Sequence, residues 1–421
     1  MRREWEKLQM ETSKVSIIIP IYNMAEWIGQ AIEGAEKQTL KELEIICVDD
    51  GSTDRSLEVL REYAQKYDNI KVISQPNLGA GPARNRGIDE ACGEYLAFLD
   101  ADDYYYSEDA LEYLYKKAKE NNASICRGSS CDDRDGVISF KGLRPERSFA
   151  KEGFVSKECF PGPTGYWAGI YNREFLNSSS IRFPNLRRGQ DAVFSTEAIA
   201  KAGKVYCLDK VVYVYRKEHK TVIYSEEKAV DALRTNYAIL RTASKYGMSA
   251  ISSQWKNEIF GEPGAMLYKF AAAGNKQMQE LAVKINALIG GGLLEGDEII
   301  HYVDQVKADK PHVLDRLKKR DAVYVFGAGT IGRKVSAWLL GNGITPEAII
   351  VSDLDQNPTA LEGIPVKPIE AIDHRLNYEV IIATFGYSQD TITQILREHG
   401  VDSITPIDLC TFHLWQDEIT H

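Results

Sequence analysis

Two short acidic runs hold the residue types and spacings most able to do chemistry. VDDGSTD carries Asp49, Asp50 and Asp54, and FLDADD carries Asp100, Asp102 and Asp103. Each follows an apolar stretch, so each is expected at the carboxyl end of a strand, where an open parallel sheet forms its ligand crevice. Carboxylates gathered there repel one another unless a cation is shared between them. Asp-x-Asp offers hard oxygen ligands of the kind that Mg²⁺ or Mn²⁺ takes together with substrate phosphates. The competing role is helix capping: Asp54 suits the start of a helix near Ser56, and Ser107 the start of the helix after FLDADD. Capping is the expectation for Asp54, and ligand or metal binding for Asp100 and Asp102.

Composition narrows the chemistry. Of seven histidines the first is His219, which excludes a His-based nucleophilic triad or a zinc-protease helix wholly within residues 1–218. The 421 residues carry a formal charge of −10. Residues 321–421 hold 5 basic and 14 acidic side chains, leaving 46 basic and 47 acidic before them, so the acidity belongs to the C-terminal quarter. This balance disfavours a general nucleic-acid binder or a polybasic membrane clamp, both of which need surplus Lys and Arg. Seven cysteines without a Cys-x-x-Cys pair fit a reduced compartment. The start MRREWEKLQMETSK lacks the apolar core of a signal peptide, and the run from Val15 to Tyr22 falls far short of the ~20 residues that cross a bilayer. A cytoplasmic protein with no transmembrane segment is expected.

Periodicity supplies the elements that must position the acidic runs. Val15 to Ile19, Leu43 to Val48, Ile70 to Ile73 and Tyr95 to Leu99 read as strands buried on both faces. Between them, Ser56 to Tyr67 sets Leu57, Leu60, Ala64 and Tyr67 on one helical face, and Pro82 to Ala91 reads as another helix. The result is an α/β unit with a mainly parallel sheet. Past about residue 122 come short strands, the Gly/Pro-rich PGPTGYWAG at 161–169, a helix from Gln190 to Lys201 and a strand from Val211 to Arg216. Residues 225–319 are helical in pattern, broken at GEPG and GGG. Their stripe of Met278, Leu281, Ala282, Ile285, Leu288 and Ile289 reads as core packing, with a surface gripping a lipid-linked acceptor as the alternative. RLKKR at 316–320 suits a helix C-terminus. An α/β pattern restarts at 322, with strands at 322–326, 348–351 and 380–383, so domains are expected at 1–224, 225–320 and 321–421.

In order and spacing, VSIIIPIYN, VDDGSTD, NLGAGPARNRGI and GEYLAFLDADD resemble the motifs of the inverting family 2 glycosyltransferases, whose fold is GT-A. The resemblance covers residues 15 to about 220. It implies a pocket for the nucleotide base at Pro20, Tyr22 and Asn23, with Tyr22 able to stack on the ring. It also implies that Asp50 accepts a hydrogen bond from the base, usually uracil, that Asp100 approaches the ribose, and that Asp102 holds the metal bridging the diphosphate. Gly79 and Gly81 would let the backbone pass the nucleotide or serve turn geometry. Arg84 and Arg86 face the donor or form a solvated helix face. Transfer with inversion needs a base for the acceptor hydroxyl. With no histidine before 219, that base is Asp or Glu. Asp191 in RFPNLRRGQDAVF matches the second position of the family's Gly-Glu-Asp motif, with Gln190 in place of Glu; ordinary capping at a helix start, where a carboxylate's pKa falls, is the alternative. Arg216 and His219 stand where the family often has an Arg or His near the diphosphate, and His219 could complete the metal shell. Tyr166 and Trp167 suit an acceptor-sugar platform or, equally, core packing.

In the tail, DAVYVFGAGTIGRKV places Gly327, Gly329 and Gly332 as GxGxxG between a predicted strand and a predicted helix, and Asp353 ends the next strand. That context predicts a pyrophosphate on the helix N-terminus and a ribose on Asp353. No Tyr-x-x-x-Lys pair follows, and the segment resembles the Rossmann-like modules appended to bacterial polysaccharide enzymes. A binding or scaffolding module is therefore expected rather than a second, nicotinamide-dependent enzyme. Together these readings imply a GT-A domain, a helical segment and a small Rossmann-like α/β domain. The implied activity is Mn²⁺- or Mg²⁺-dependent transfer from a UDP-sugar to a saccharide or lipid-linked saccharide, at the inner face of the membrane when the acceptor is lipid-linked. A non-catalytic nucleotide-sugar sensor is the rival.

Overall fold

The computed structural model describes residues 13–140, 147–217, 225–352, 354, 357–382, 386–407 and 409–416. The chain divides into two compact units, Met1–Lys220 with Arg234–Trp255, and Thr221–Leu233 with Lys256–His421. The helical residues 225–320 are thus shared between the units.

The first unit is built on ten strands among the described residues: β1 (Val15–Ile21), β2 (Leu43–Asp49), β3 (Ile70–Ser74), β4 (Tyr95–Phe98), β5 (Tyr104–Tyr105), β6 (Ile125–Arg134), β7 (Val137–Ser139), β8 (Gly153–Ser156), β9 (Gly169–Asn172) and β10 (Lys204–Arg216). The order is β3-β2-β1-β4-β9-β6-β10-β5, with β7 on β6 and β8 on β10. Its helices are α1 (Ile28–Glu36), α2 (Ser56–Lys66), α3 (Ala80–Glu90), α4 (Ala110–Glu120), α5 (Arg173–Ser178) and α6 (Gln190–Ala202). Apart from Pro20, every residue of β1, β2 and β4 is buried, as expected of apolar runs covered on both faces. These strands and β3 run parallel, with Ile21 opposite Asp49 and Ile18 opposite Phe98, so their carboxyl ends meet at one edge.

The sheet is mixed rather than mainly parallel. β9 emerges from the Gly/Pro-rich loop and inserts antiparallel between β4 and β6, after which β10 runs parallel to β6. Two helix starts also differ from expectation. α3 begins at Ala80, before Pro82, because Gly79 at φ 98° turns the chain into it. α4 begins at Ala110 with Asp109 in the cap position, and Ser107 Oγ donates to Asp109 Oδ1 at 2.7 Å rather than capping the helix itself. Asp54 does serve its helix start, its Oδ1 accepting from Ser56 N at 2.9 Å.

In the second unit, β11 (Ala322–Phe326), β12 (Ala348–Val351), β13 (Ala360–Leu361), β14 (Ile364–Pro368), β15 (Tyr378–Ile382) and β16 (Ile404–Pro406) form a second sheet, ordered β13-β14-β12-β11-β15-β16. All its pairings are parallel except β13 with β14. Gly327 and Gly332 sit against each other where β11 turns into the helix Thr330–Gly341, and a Cβ on Gly332 would overlap the Gly327 carbonyl. Asp353 lies outside the described residues. Met278, Leu281, Ala282 and Ile285 are buried. Within RLKKR, Arg316 and Arg320 reach the buried Glu379 at 3.2 and 2.9 Å. No helix among the described residues is long and apolar enough to cross a membrane.

The packing of α3 on the sheet has a sharp steric requirement. Gly87 is buried against β1, and a Cβ there would overlap Ile18 Cγ2. Gly87→Ala is expected to lower the unfolding free energy by about 1–3 kcal/mol through overpacking, measured by denaturant titration against wild type.

Candidate functional site

The shared edge of the parallel strands gathers the chemistry. Tyr22 and Asn23 follow β1, Asp50 follows β2, Asp100 to Asp103 follow β4, and β10 ends at Arg216. Tyr22 is 45% exposed, a large aromatic left open at the strand end. Asn23 sits at φ 54° and its Oδ1 accepts from Thr53 N at 2.8 Å, Thr53 Oγ1 at 3.3 Å and Asp54 N at 3.3 Å. Its side chain therefore braces the loop after β2. Asp50 is buried and accepts from Gln75 Nε2 (2.8 Å), Leu78 N (2.9 Å) and Gly79 N (2.7 Å), which fixes the entry to α3.

The three carboxylates after β4 have different partners. Asp100 Oδ1 accepts from Arg84 Nη2 at 2.6 Å and from Tyr166 Oη at 3.3 Å. Asp103 is buried and accepts from Tyr213 Oη and Arg216 N, each at 2.8 Å. Burial, then the charges of Asp100 and Asp102, push its pKa well above the ordinary carboxylate range. Asp102 is partly exposed, and its main-chain oxygen is held by Arg216 Nη1 at 2.6 Å. Arg216 is held in turn by Gln30 Oε1 at 2.8 Å and lies 4.5 Å from the Trp27 ring centroid.

Among the described residues no three His, Cys, Asp or Glu side chains form a group able to hold a metal. Asp102 is a partly exposed carboxylate, the ligand type that Mg²⁺ takes together with phosphate and water oxygens. His219 lies outside the described residues.

Asp191 occupies the first turn of α6, whose cap position is Gly189 with no side-chain cap bond. Asp191 thus lies inside the first turn rather than at the cap position that the alternative reading gave it. Burial raises the Asp191 pKa and Asp100 adds to the rise, while Arg84 and the amides at the helix start oppose it. Gln190 stands beside it, with Oε1 buried and lacking a hydrogen-bond partner.

Tyr166 and Trp167 are corrected as an acceptor platform. Tyr166 is 1% exposed, with Arg84 5.3 Å from its centroid and Phe98, Phe183 and Phe194 around it. Trp167 is stacked on Tyr213 and Tyr215 with centroids 4.3 and 5.5 Å away, and Arg147 lies 5.0 Å from it. Their rings belong to the wall behind the carboxylates. Arg86 is at the surface, paired with Glu90 at 2.7 Å, whereas Arg84 is buried. A further cluster escapes the motif reading: Asp132 and Asp133 end β6, Asp132 pairing with Arg147 (2.8 Å) and Lys217 (2.5 Å), and Asp133 accepting from Tyr104 Oη (2.8 Å). The acidic run CDDRD was visible, but the ICRGSS before it lacks the apolar run that precedes FLDADD.

The first unit is thus a mixed α/β sheet that carries acidic residues at its strand ends. The pattern of glycosyl transferase family 2 matches residues 16–170. The putative glycosyltransferase EpsH of Bacillus subtilis is 30% identical over 247 residues, covering 56% of this chain and 72% of EpsH. The uncharacterized glycosyltransferase YibD of Escherichia coli is 32% identical over 222 residues, 50% of this chain and 63% of YibD. The match thus spans less than two thirds of YibD. Residues 1–349 of S. aureus TarS, solved in complex with UDP, share the fold with a TM-score of 0.50 and 21% identity, covering 66% of this chain and 88% of that one. The chain belongs to glycosyltransferase family 2.

The bracing role of Asn23 is testable. Asn23→Ala removes the acceptor for Thr53 and Asp54 and leaves alanine at positive φ, so stability falls by about 1–2 kcal/mol.

Proposed function

We propose that the protein is a metal-dependent inverting glycosyltransferase that moves a sugar from a UDP-sugar to an acceptor hydroxyl in synthesis of a bacterial polysaccharide or glycoconjugate. One observation carries this reading. The carboxyl ends of β1, β2 and β4 meet at one edge and set Tyr22, Asp50, Asp100 and Asp102 there together, with Arg84 Nη2 on Asp100 Oδ1 at 2.6 Å. UDP is chosen on the family resemblance and on TarS, whose fold is shared and which was solved with UDP.

In this reading Tyr22 stacks on the base, flanked by Pro20 and Asn23. Asp50 accepts three hydrogen bonds, and a carboxylate has about four acceptor sites, which leaves capacity for the N–H of uracil. Gly79 carries the chain past the donor, Arg84 lines its pocket and Asp100 faces the ribose. Asp102 would hold the divalent cation, with His219 as the second proposed ligand. When bound, that cation would supply positive charge beside the departing diphosphate. Asp191 takes the proton of the acceptor hydroxyl as its oxygen bonds to the anomeric carbon. The bond from that carbon to the diphosphate breaks on the opposite face, so configuration inverts and the proton ends on Asp191. The acceptor is a saccharide or lipid-linked saccharide, met in the latter case at the inner membrane face. For the second unit we propose a Rossmann-like binding or scaffolding module with Gly327, Gly329, Gly332 and Asp353 as its ligand set.

Release of UDP from a panel of UDP-sugars with Mn²⁺ tests the enzyme reading. Asp191→Asn is expected to lose transfer by about 10²- to 10⁴-fold while still gaining thermal stability from UDP. Full activity in that variant, or no release by wild type from any UDP-sugar, overturns it, and stabilisation without release favours the sensor. Activity requires ionised Asp191, so the rate is expected to be full above its raised pKa. It falls as pH drops through that value, at higher pH than an ordinary aspartate would give. NAD(H) titrated against the full chain tests the second unit: hydride turnover would replace the module reading with a nicotinamide-dependent activity.

A further inference from the structure

We propose that Tyr215 recognises the transferred sugar of the donor, its phenol hydroxyl exchanging a hydrogen bond with a sugar hydroxyl. The proposal rests on the reading of the first unit as a UDP-sugar site. Tyr215 is the penultimate residue of β10, which runs in the same direction as β4, because β9 lies antiparallel to both β4 and β6 while β10 lies parallel to β6. Its end therefore opens at the edge that bears Asp102. The strand is regular from Tyr213 to Arg216, paired in step with Ser130 to Asp133, so Tyr213 and Tyr215 share a face. Tyr213 Oη donates to Asp103 Oδ2 at 2.8 Å and accepts from Asp100 N at 3.2 Å. Arg216 N donates to Asp103 Oδ1 at 2.8 Å, and its Nη1 donates to the Asp102 carbonyl at 2.6 Å. Tyr215 thus stands between two residues that grip the Asp102–Asp103 turn, about 6–7 Å beyond Tyr213 toward the open edge.

The ring is fixed while the hydroxyl is not engaged. Trp167 lies parallel to the Tyr215 ring at 5.5 Å between centroids and also stacks on Tyr213, and the Arg147 guanidinium is 5.3 Å from the Tyr215 centroid. Arg147 is itself anchored, with Nη2 2.8 Å from Asp132 Oδ1 and Nε donating to Ser130 Oγ at 3.0 Å. Neighbouring hydroxyls are taken: Tyr104 by Asp133, Tyr166 by Asp100 and Tyr213 by Asp103. The Tyr215 hydroxyl is open to solvent and, among the described residues, has no hydrogen-bond partner. A phenol can both donate and accept, and a ring held before the ligand arrives loses little freedom on binding. The identity of the ligand follows from the order of the sheet. In the proposed donor path the base lies at the ends of β1 and β2, the ribose at Asp100 and the diphosphate at Asp102. β10 stands on the opposite side of β4 from β1 and β2. The group bonded to the far phosphate is the sugar, which therefore extends toward Tyr215.

The test compares ligands with and without that sugar. Calorimetry with Mn²⁺ present and no acceptor measures the affinity of wild type and Tyr215→Phe for UDP. The same is done for whichever of UDP-glucose, UDP-galactose and UDP-N-acetylglucosamine wild type binds most tightly. Tyr215→Phe keeps the ring and its stack on Trp167 and removes only the hydroxyl. The expected result is a loss of about 3- to 10-fold in UDP-sugar affinity, the worth of one hydrogen bond, with UDP affinity unchanged. Tyr215→Ala, which removes the ring as well, is expected to lose more on the UDP-sugar and again nothing on UDP. Equal losses for UDP and the UDP-sugar in Tyr215→Phe would assign the residue to nucleotide binding or to the fold. Unchanged affinity for both would leave it to the acceptor or to the wall behind the carboxylates. Either result overturns the proposal. Failure of the underlying reading is separate, because wild type would then bind neither UDP nor any of these UDP-sugars.

Discussion

Like charges crowded at one sheet edge are the constraint on which the first unit depends. Asp50, Asp100, Asp102, Asp103, Asp132 and Asp133 all follow or lie near the ends of buried strands, so the carboxylates are carried together by the fold itself. Two unit charges 4 Å apart interact by on the order of 4 kcal/mol near a protein surface, several times what an exposed ion pair contributes. Each carboxylate is therefore offset in its own way. Asp50 takes backbone amides, Asp100 the Arg84 guanidinium, Asp132 the cations of Arg147 and Lys217. Asp103, left with a hydroxyl and one amide, has the strongly raised pKa. The exposed pair Arg55 and Glu58, at 2.9 Å, has similar geometry but little energetic weight, since solvent screens it.

An aromatic wall sets the dielectric in which those charges act. Phe98, Tyr166, Tyr171, Phe183 and Phe194 meet in mostly edge-on contacts with centroids 5.2 to 6.3 Å apart, apart from the stacked Phe183 and Phe194. They come from β4, the loop before β9, β9 itself, the chain before α6 and α6. One cluster thus locks the antiparallel insertion of β9 to the helix that bears Asp191. It also surrounds Arg84 with rings, which sustain a cation's charge through their π faces while excluding water.

Much of this was legible in the residues and some was not. β11 and β12 fall on the expected residues, and β1, β2, β3 and β4 differ from expectation only by a residue or two at their ends, because buried parallel strands leave unbroken Val/Ile-rich runs. β5, β8 and β9 were not legible, being two to four residues long. β9 is also antiparallel, a direction that no residue pattern records. Tyr166 and Trp167 read equally as platform or core, and what decided them was Phe183, Phe194, Tyr213 and Tyr215, brought there by tertiary packing. Two of the three partners of Asp50 are main-chain amides 28 and 29 residues away, which have no side-chain signature at all.

Asp191 shows why position in a helix is a weaker guide to acidity than burial. A helix start favours a carboxylate by typically 0.3–1 kcal/mol at exposed sites, whereas burial can move a pKa by several units, each about 1.4 kcal/mol. The two effects coexist at Asp191: the amides of its first turn lower the pKa, and burial with Asp100 raises it by more. Arg84 opposes the rise. A carboxylate in water would be ionised but too weakly basic to draw a proton from a hydroxyl, and one buried alone would be basic but already protonated. Asp191 is only partly exposed at the start of α6, and the fold packs that helix on the aromatic wall that also receives Arg84 from α3.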